Sequence, residues 1–165
     1  MSEKNDATGS LLEASIEIEA PQDAVWAMIT DVTRMSSWSP QVVRTVVFGG
    51  PLRRGTRFLN LNRQGWKHWP TNARVVRFTP HRDFAFRIAE NHSIWSFELT
   101  PTETGTRVTQ RRETPEGTSL VSRTLVRIAL GGQEPFSAEM LAGMRETLGR
   151  LKVEAEGGVS GNRAA

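Results

Sequence analysis

The chain has 165 residues, no cysteine and no tyrosine. That length suits one domain with a real core, and the missing thiols exclude a disulfide framework and a cysteine nucleophile. The isoelectric point near 10.1 suggests a nucleic-acid binder, but the formal charge is only +3; with few groups titrating between about pH 8 and 10, a small excess of arginine moves the isoelectric point far upward.

The arginines are scattered rather than clustered, with Arg53-Arg54 and Arg111-Arg112 as doublets. A phosphate-binding stripe needs more concentration than this, so nucleic acid is not an expected partner. Met1 to Ser10 is polar and has no apolar h-region. No apolar run approaches the roughly 18 residues of a membrane span. The expectation is a soluble cytoplasmic protein with a structured body over 11–156, flanked by disordered ends at 1–10 and 157–165.

The first strand is plain in the pattern. Leu12, Ala14, Ile16, Ile18 and Ala20 alternate with Glu13, Ser15, Glu17 and Glu19. This is the period of a strand with one wet face. Pro21 stops it and opens a helix whose apolar face is Val25, Trp26, Met28 and Ile29. A second short helical segment runs from Asp31 to near Trp38, just before Pro40.

Strands separated by turn signals are then expected at Val42 to Phe48, Thr56 to Asn62, Asn72 to Phe78, Phe84 to Ile88, Ser93 to Thr100 and Thr106 to Glu113. Their short, even spacing argues for an antiparallel meander. A short helix is expected between Thr114 and Gly132. The last element, about Pro135 to Ala155, carries Met140, Leu141, Met144, Leu148 and Leu151 at helical spacing. A curved antiparallel sheet has to cover its inner face, and this helix is the one element long enough to do so. The fold class is therefore α+β: a sheet of about seven strands wrapped around a long C-terminal helix, with two short helices between strands 1 and 2.

At this point the sequence resembles the START-like, or SRPBCC, superfamily with its helix-grip fold, within the polyketide cyclase/dehydrase-like branch. The resemblance rests on Ser15–Trp26 with its Ala20-Pro21-Gln22-Asp23-Ala24-Val25-Trp26 turn, on Asp31-Val32 and on Trp38-Ser39-Pro40. It continues through Gly55-Thr56-Arg57-Phe58, Trp95-Ser96-Phe97-Glu98-Leu99 and Gly105-Thr106-Arg107-Val108, covering about Leu11 to Leu151. These are turn and packing residues, specific for fold and weak for function. Such families include aromatase/cyclases, lipid and sterol carriers, plant hormone receptors and allergens, and fold does not choose among them.

Candidate ligand-binding residues follow from the inward faces. Trp38 is placed near the pocket mouth by the resemblance, whereas Trp26 is expected to pack into the core. Trp66-Lys67-His68-Trp69 is read as a turn, in which Trp66 and Trp69 either form a lid over a ligand or cap the sheet. Phe86, Trp95 and Phe97 alternate inward, and Phe58 joins them. Asn60, Gln110 and Arg112 are the polar candidates for the concave face, Gln110 and Arg112 following if Thr106 and Val108 face inward. Arg112 is read first as a solvated arginine at the sheet end and second as a buried one, which would need a partner, in the protein or in a ligand. Met140 and Met144 face the sheet from the C-terminal helix. Beside them, Gly143 is read first as close helix–sheet packing and second as pocket space.

His68, His81 and His92 match no metal motif, and there is no phosphate loop or nucleophile elbow. Neither a metal nor a cofactor is expected. The leading reading is binding or carriage of a hydrophobic small molecule, lipid-like or aromatic and polyketide-like, in an internal cavity. The alternatives are a cyclase or dehydratase, with Arg112 and Gln110 at an enolate and His68 or His92 moving protons, and a protein-interaction module. The protein is expected to be a monomer or a weak homodimer.

Overall fold

The computed structural model describes residues 11–115 and 133–162. Strand β1 (Leu11–Ile18) is followed by helix α1 (Gln22–Thr30), a 3₁₀ turn (Val32–Arg34) and helix α2 (Met35–Trp38). Strands β2 (Val42–Phe48), β3 (Arg57–Gln64), β4 (Lys67–Thr79), β5 (Asp83–Ile88), β6 (Ile94–Pro101) and β7 (Thr106–Glu113) come next, and helix α3 (Gln133–Asn162) follows. The seven-stranded sheet has the order β1-β7-β6-β5-β4-β3-β2, and every neighbouring pair is antiparallel. The helix-grip architecture expected from the pattern is the architecture observed.

The α1–α2 insert carries the chain from one sheet edge to the other. Pro21 stands just before α1, and its carbonyl accepts from the Ala24 and Val25 amides at 3.1 and 3.2 Å. Shifts in pairing register at Val42/Arg44 and at Val75/Arg77 mark bulges, which bend the strands and increase their twist. The result is a concave face holding Phe58, Val75, Phe84, Phe97 and Val108, all at most 1% exposed.

Helix α3 serves two purposes along its length. Toward its C-terminus, Leu148, Leu151 and Ala155 bury into the core shared with Ile18, Val25 and Ile29. Lys152 Nζ donates to the Glu17 carbonyl at 2.8 Å, and the Glu19 amide donates to Glu156 at 2.9 Å, fastening α3 along the β1 end. Arg34 pairs with Glu154 and ties the insert to the same helix. Toward its N-terminus α3 stands away from the sheet, and the gap between them is the cavity described below.

Three expectations require correction. The stretch Lys67-His68-Trp69 is the start of a long β4, paired in turn with Gln64, Arg63 and Asn62 of β3, and the turn is confined to Gly65-Trp66. Gly65 adopts φ +60 there, a conformation that glycine accepts at little cost. Helix α3 continues to Asn162, through Gly157-Gly158, because extending a docked helix adds one hydrogen bond per residue fixed. Thr56 lies just outside β3. The short helix expected beyond Thr114 lies outside the described residues, as do Met1–Ser10. No described helix is long and apolar enough to cross a membrane.

Candidate functional site

Between the N-terminal half of α3 and the concave face lies a cavity of about 310 Å³. Strand parity decides what points into it. On β6 and β7, Trp95 is paired with Arg112 and Phe97 with Gln110, so these four side chains share the inner face. Phe86 is paired with Trp95 across β5–β6 and continues that row. From α3, Phe136, Met140, Gly143, Met144 and Thr147 face the sheet at spacings of three and four. Trp38, at the end of α2, supplies the wall on the insert side.

Most of the candidates named from the sequence meet here. Trp38, Asn60, Trp69, Phe86, Trp95, Phe97, Gln110, Arg112, Met140 and Met144 all line the cavity. Trp38 is not at a mouth, however: it is 1% exposed, with its ring edge-on to Phe97 at 5.9 Å. Phe58 lies in the core beside the lining, 5.1 Å from Phe86. Trp66 is 85% exposed at the β3–β4 turn and does not line the cavity. Trp26 packs edge-on against Phe78 at 5.2 Å, as a core residue should.

Gly143 lines the cavity, and a Cβ built on it meets nothing within 4 Å. The glycine therefore leaves pocket space, and close helix–sheet packing is not its reason. Asn62, Thr71 and Thr147 also reach the site and were not among the candidates. Asn62 has the same strand parity as Asn60, and Thr147 lies one helical turn beyond Gly143, so extending either period would have found them.

The polar walls differ in kind. On the β2–β4 side the polar groups satisfy one another. Thr45 Oγ1 donates to Asn60 Oδ1 at 2.7 Å, and Asn62 Nδ2 donates to Thr71 Oγ1 at 3.0 Å and to the Trp69 carbonyl at 3.3 Å. Gln64, at the tip of β3, reaches Glu139 of α3 and straps one side of the cavity.

The β7 side is not closed in this way. Among the described residues, Gln110 Oε1, and across from it Trp38 Nε1 on the insert side, are buried without a hydrogen-bond partner. The Arg112 guanidinium lies between the Trp95 and Phe136 rings, 5.8 Å from each centroid. Burial pushes its pKa below the ordinary arginine value, because desolvation disfavours the charged form.

The histidines do not join the site. His68 is exposed, with Nδ1 3.2 Å from the Trp66 carbonyl oxygen, and His92 sits in the β5–β6 turn at φ +58. Neither lines the cavity, so neither can move protons to a substrate held there. Among the described residues, no three histidine or carboxylate side chains gather into a metal-binding group.

A wider depression of about 1040 Å³ lies on the convex face, along Arg54, Arg57, Arg74 and Arg87. Arg57 pairs with Arg74 and Arg74 with Arg87 across β3–β5. Its charged lining is these four arginines, whereas the cavity under α3 is walled by aromatic and methionine side chains with a few convergent polar groups, as small-molecule sites are.

Comparison with known proteins agrees with this anatomy. No curated protein matches the sequence. Among solved structures, a polyketide-cyclase-like protein from Corynebacterium glutamicum is 25% identical, with a TM-score of 0.61 over 88% of this chain and 91% of its own. The di-domain ARO/CYC StfQ from the steffimycin biosynthetic pathway is 14% identical, with a TM-score of 0.73 over 93% of this chain; the match spans 52% of that longer protein. A major latex-like protein from Panax ginseng is 11% identical, with a TM-score of 0.69 over 90% of this chain and 99% of its own. The latter two likenesses show the fold. Residues 11–156 match the family described as polyketide cyclase / dehydrase and lipid transport, and the chain belongs to that family.

Proposed function

We propose that the protein binds and carries an apolar small molecule in the cavity between α3 and the sheet. The observation that carries this reading is the lining itself: Trp38, Phe86, Trp95, Phe97, Met140 and Met144 surround about 310 Å³ in which a few polar atoms converge. That volume lies at the lower end of the roughly 300–1,000 Å³ of small-molecule pockets, which favours a compact ligand over a long lipid. The two methionines suit such a wall, since an unbranched thioether adapts to several shapes.

Carriage is favoured over acid–base catalysis by the same lining. A cyclase or dehydratase needs a group that exchanges protons near neutral pH within hydrogen-bond reach of the substrate. The described lining holds no histidine, aspartate, glutamate or lysine, and Arg112 is its one ionisable side chain.

Native mass spectrometry of the purified protein, followed by denaturing extraction, tests the proposal. A co-purifying apolar compound is the expected result and would give the ligand class. A clean apo mass, together with failure of every apolar fluorescent probe to bind up to its solubility limit, would overturn it.

A further inference from the structure

Arg112 is 4% exposed, and its side chain lines the cavity. Among the described residues no carboxylate pairs with it; its neighbours are the faces of Trp95 and Phe136. The contrast with the adjacent residue is direct. Arg111, on the convex side of the same strand, is held by Glu13 at 2.5 Å and by Glu98. The sheet therefore supplies carboxylates to the arginine that water already solvates, and none to the one that is buried.

A buried cation without a counter-charge is costly. Two aromatic faces recover part of that cost, but they leave the in-plane N–H fork unused. Close by on the same wall, Gln110 Oε1 is buried without a partner among the described residues; it is an acceptor and calls for a donor, so the anion site rests on Arg112. The opposite wall, Thr45–Asn60 and Asn62–Thr71, is closed on itself. Among the described residues, the unfilled hydrogen-bonding capacity of the cavity thus lies with Arg112 and Gln110 on β7 and with Trp38 Nε1 on the insert side, and Arg112 is the one cation among them.

We infer that the carried molecule is an apolar carboxylic acid, with its carboxylate on the Arg112 fork and its hydrocarbon or ring system against Phe86, Phe97, Met140 and Met144. This rests on the cavity reading above and adds the polarity and orientation of the ligand. The guanidinium matches a carboxylate through two parallel N–H···O bonds, and the low-dielectric wall strengthens them. The aromatic pair holds the guanidinium plane in place before the ligand arrives, which reduces the ordering lost on binding. A neutral ligand of the same shape would leave the charge buried and unpaired.

The test is isothermal titration of the full chain with matched acids and alcohols: naphthoate against naphthylmethanol, and dodecanoate against dodecanol. Either pair suffices, since ring and chain skeletons probe the same fork. The expected result is that the acid binds at least about tenfold more tightly than its alcohol, and that this preference disappears in Arg112→Met while the alcohol still binds. Arg112→Lys, which keeps the charge and loses the fork, should retain an intermediate preference; this variant also serves if the methionine variant does not fold. Equal binding of acid and alcohol to the unmodified protein would overturn the inference and leave the cavity reading standing. An acid preference that survives Arg112→Met would move the anion site elsewhere and also overturn it. Binding of neither compound in both pairs would overturn the cavity reading itself.

Discussion

The guanidinium of Arg112 and the ring of Trp95, paired across β6 and β7, lie 5.8 Å apart on the inner face of the sheet. The pairing places a permanent cation where a core side chain would otherwise stand. It fixes the polarity of the cavity and gives Arg112 a cost in the empty protein.

That cost is measurable. Arg112→Met keeps most of the side-chain volume and removes the unpaired charge, and exchanging buried charge for apolar packing is commonly neutral or stabilising. The empty variant is expected to be more stable than the unmodified protein by about 1 kcal/mol, read as a higher urea midpoint at an unchanged slope. The linkage has a definite sign. Because the folded-state pKa is depressed, the unfolded chain holds the proton more firmly. The penalty is therefore complete at neutral pH and is relieved as the pH rises through the folded-state value toward the ordinary one. A marked loss of stability in the variant would mean that Arg112 has a structural partner.

Gly143 makes the second case. It sits inside α3, where glycine is disfavoured against alanine by about 1 kcal/mol, and an added methyl would enter open cavity. Gly143→Ala is expected to stabilise the protein by about 0.5–1 kcal/mol and to weaken binding of ligands that fill the pocket. Differential scanning calorimetry and a titration with the naphthoate probe check the two halves separately. Tighter binding in the alanine variant would show that the glycine is not there to provide space.

Gly105, in the β6–β7 turn, has the opposite surroundings. A Cβ there would lie 2.1 Å from the Ile18 carbonyl oxygen and 2.9 Å from the Ala20 amide. Both are backbone atoms at the end of β1, where Thr106 Oγ1 also donates to the Ala20 carbonyl at 2.9 Å. Gly105→Ala has to push this edge apart, and a loss of about 3 kcal/mol is expected in chemical denaturation. A loss below about 0.5 kcal/mol would mean that the turn and the β1 edge are looser than this contact implies.

How far the sequence could be read follows from the same residues. Strands whose apolar residues alternate, such as Leu11–Ile18, have their inner face fixed by period alone. Thr106–Glu113 instead carries Val108 as its one apolar residue, so parity offered Gln110 and Arg112 as inward without excluding a solvated Arg112, and the 4% exposure of Arg112 decides it. The N-terminal part of β4 was not. Lys67 and His68 are polar and Pro70 has no N–H to donate, so nothing local marks a strand. Pairing with β3, opposite Gln64 through Leu61, is what extends it. Trp69 therefore reached the cavity from a strand instead of a loop, while Trp66 stayed outside at the turn. That no described carboxylate pairs with Arg112 lay beyond a sequence reading altogether, because it depends on which carboxylates the fold brings near, and those on β1 and β6 face the other side of the sheet.

Helix α3 is held down at its C-terminal end by a clasp of side chains. Glu156 accepts the Glu19 amide at 2.9 Å and pairs with Lys152, which itself donates to the Glu17 carbonyl at 2.8 Å. The Lys152 contact first, and the Glu19 amide second, hold the Glu156 carboxyl below its ordinary value of 4.5. A depressed carboxylate stabilises the fold above the unfolded-state pKa, and that contribution is lost as the pH falls through the lower folded-state value. Glu156→Gln should therefore lower stability at neutral pH, and the difference from the unmodified protein should vanish under strongly acidic conditions. Hydrogen exchange across α3 supplies the local readout: faster exchange of the amides around Leu151 to Glu156 is expected in the variant, with the Phe136 end unchanged. Uniform acceleration along the whole helix would instead show that α3 opens as one unit and that its C-terminal clasp has no separate role.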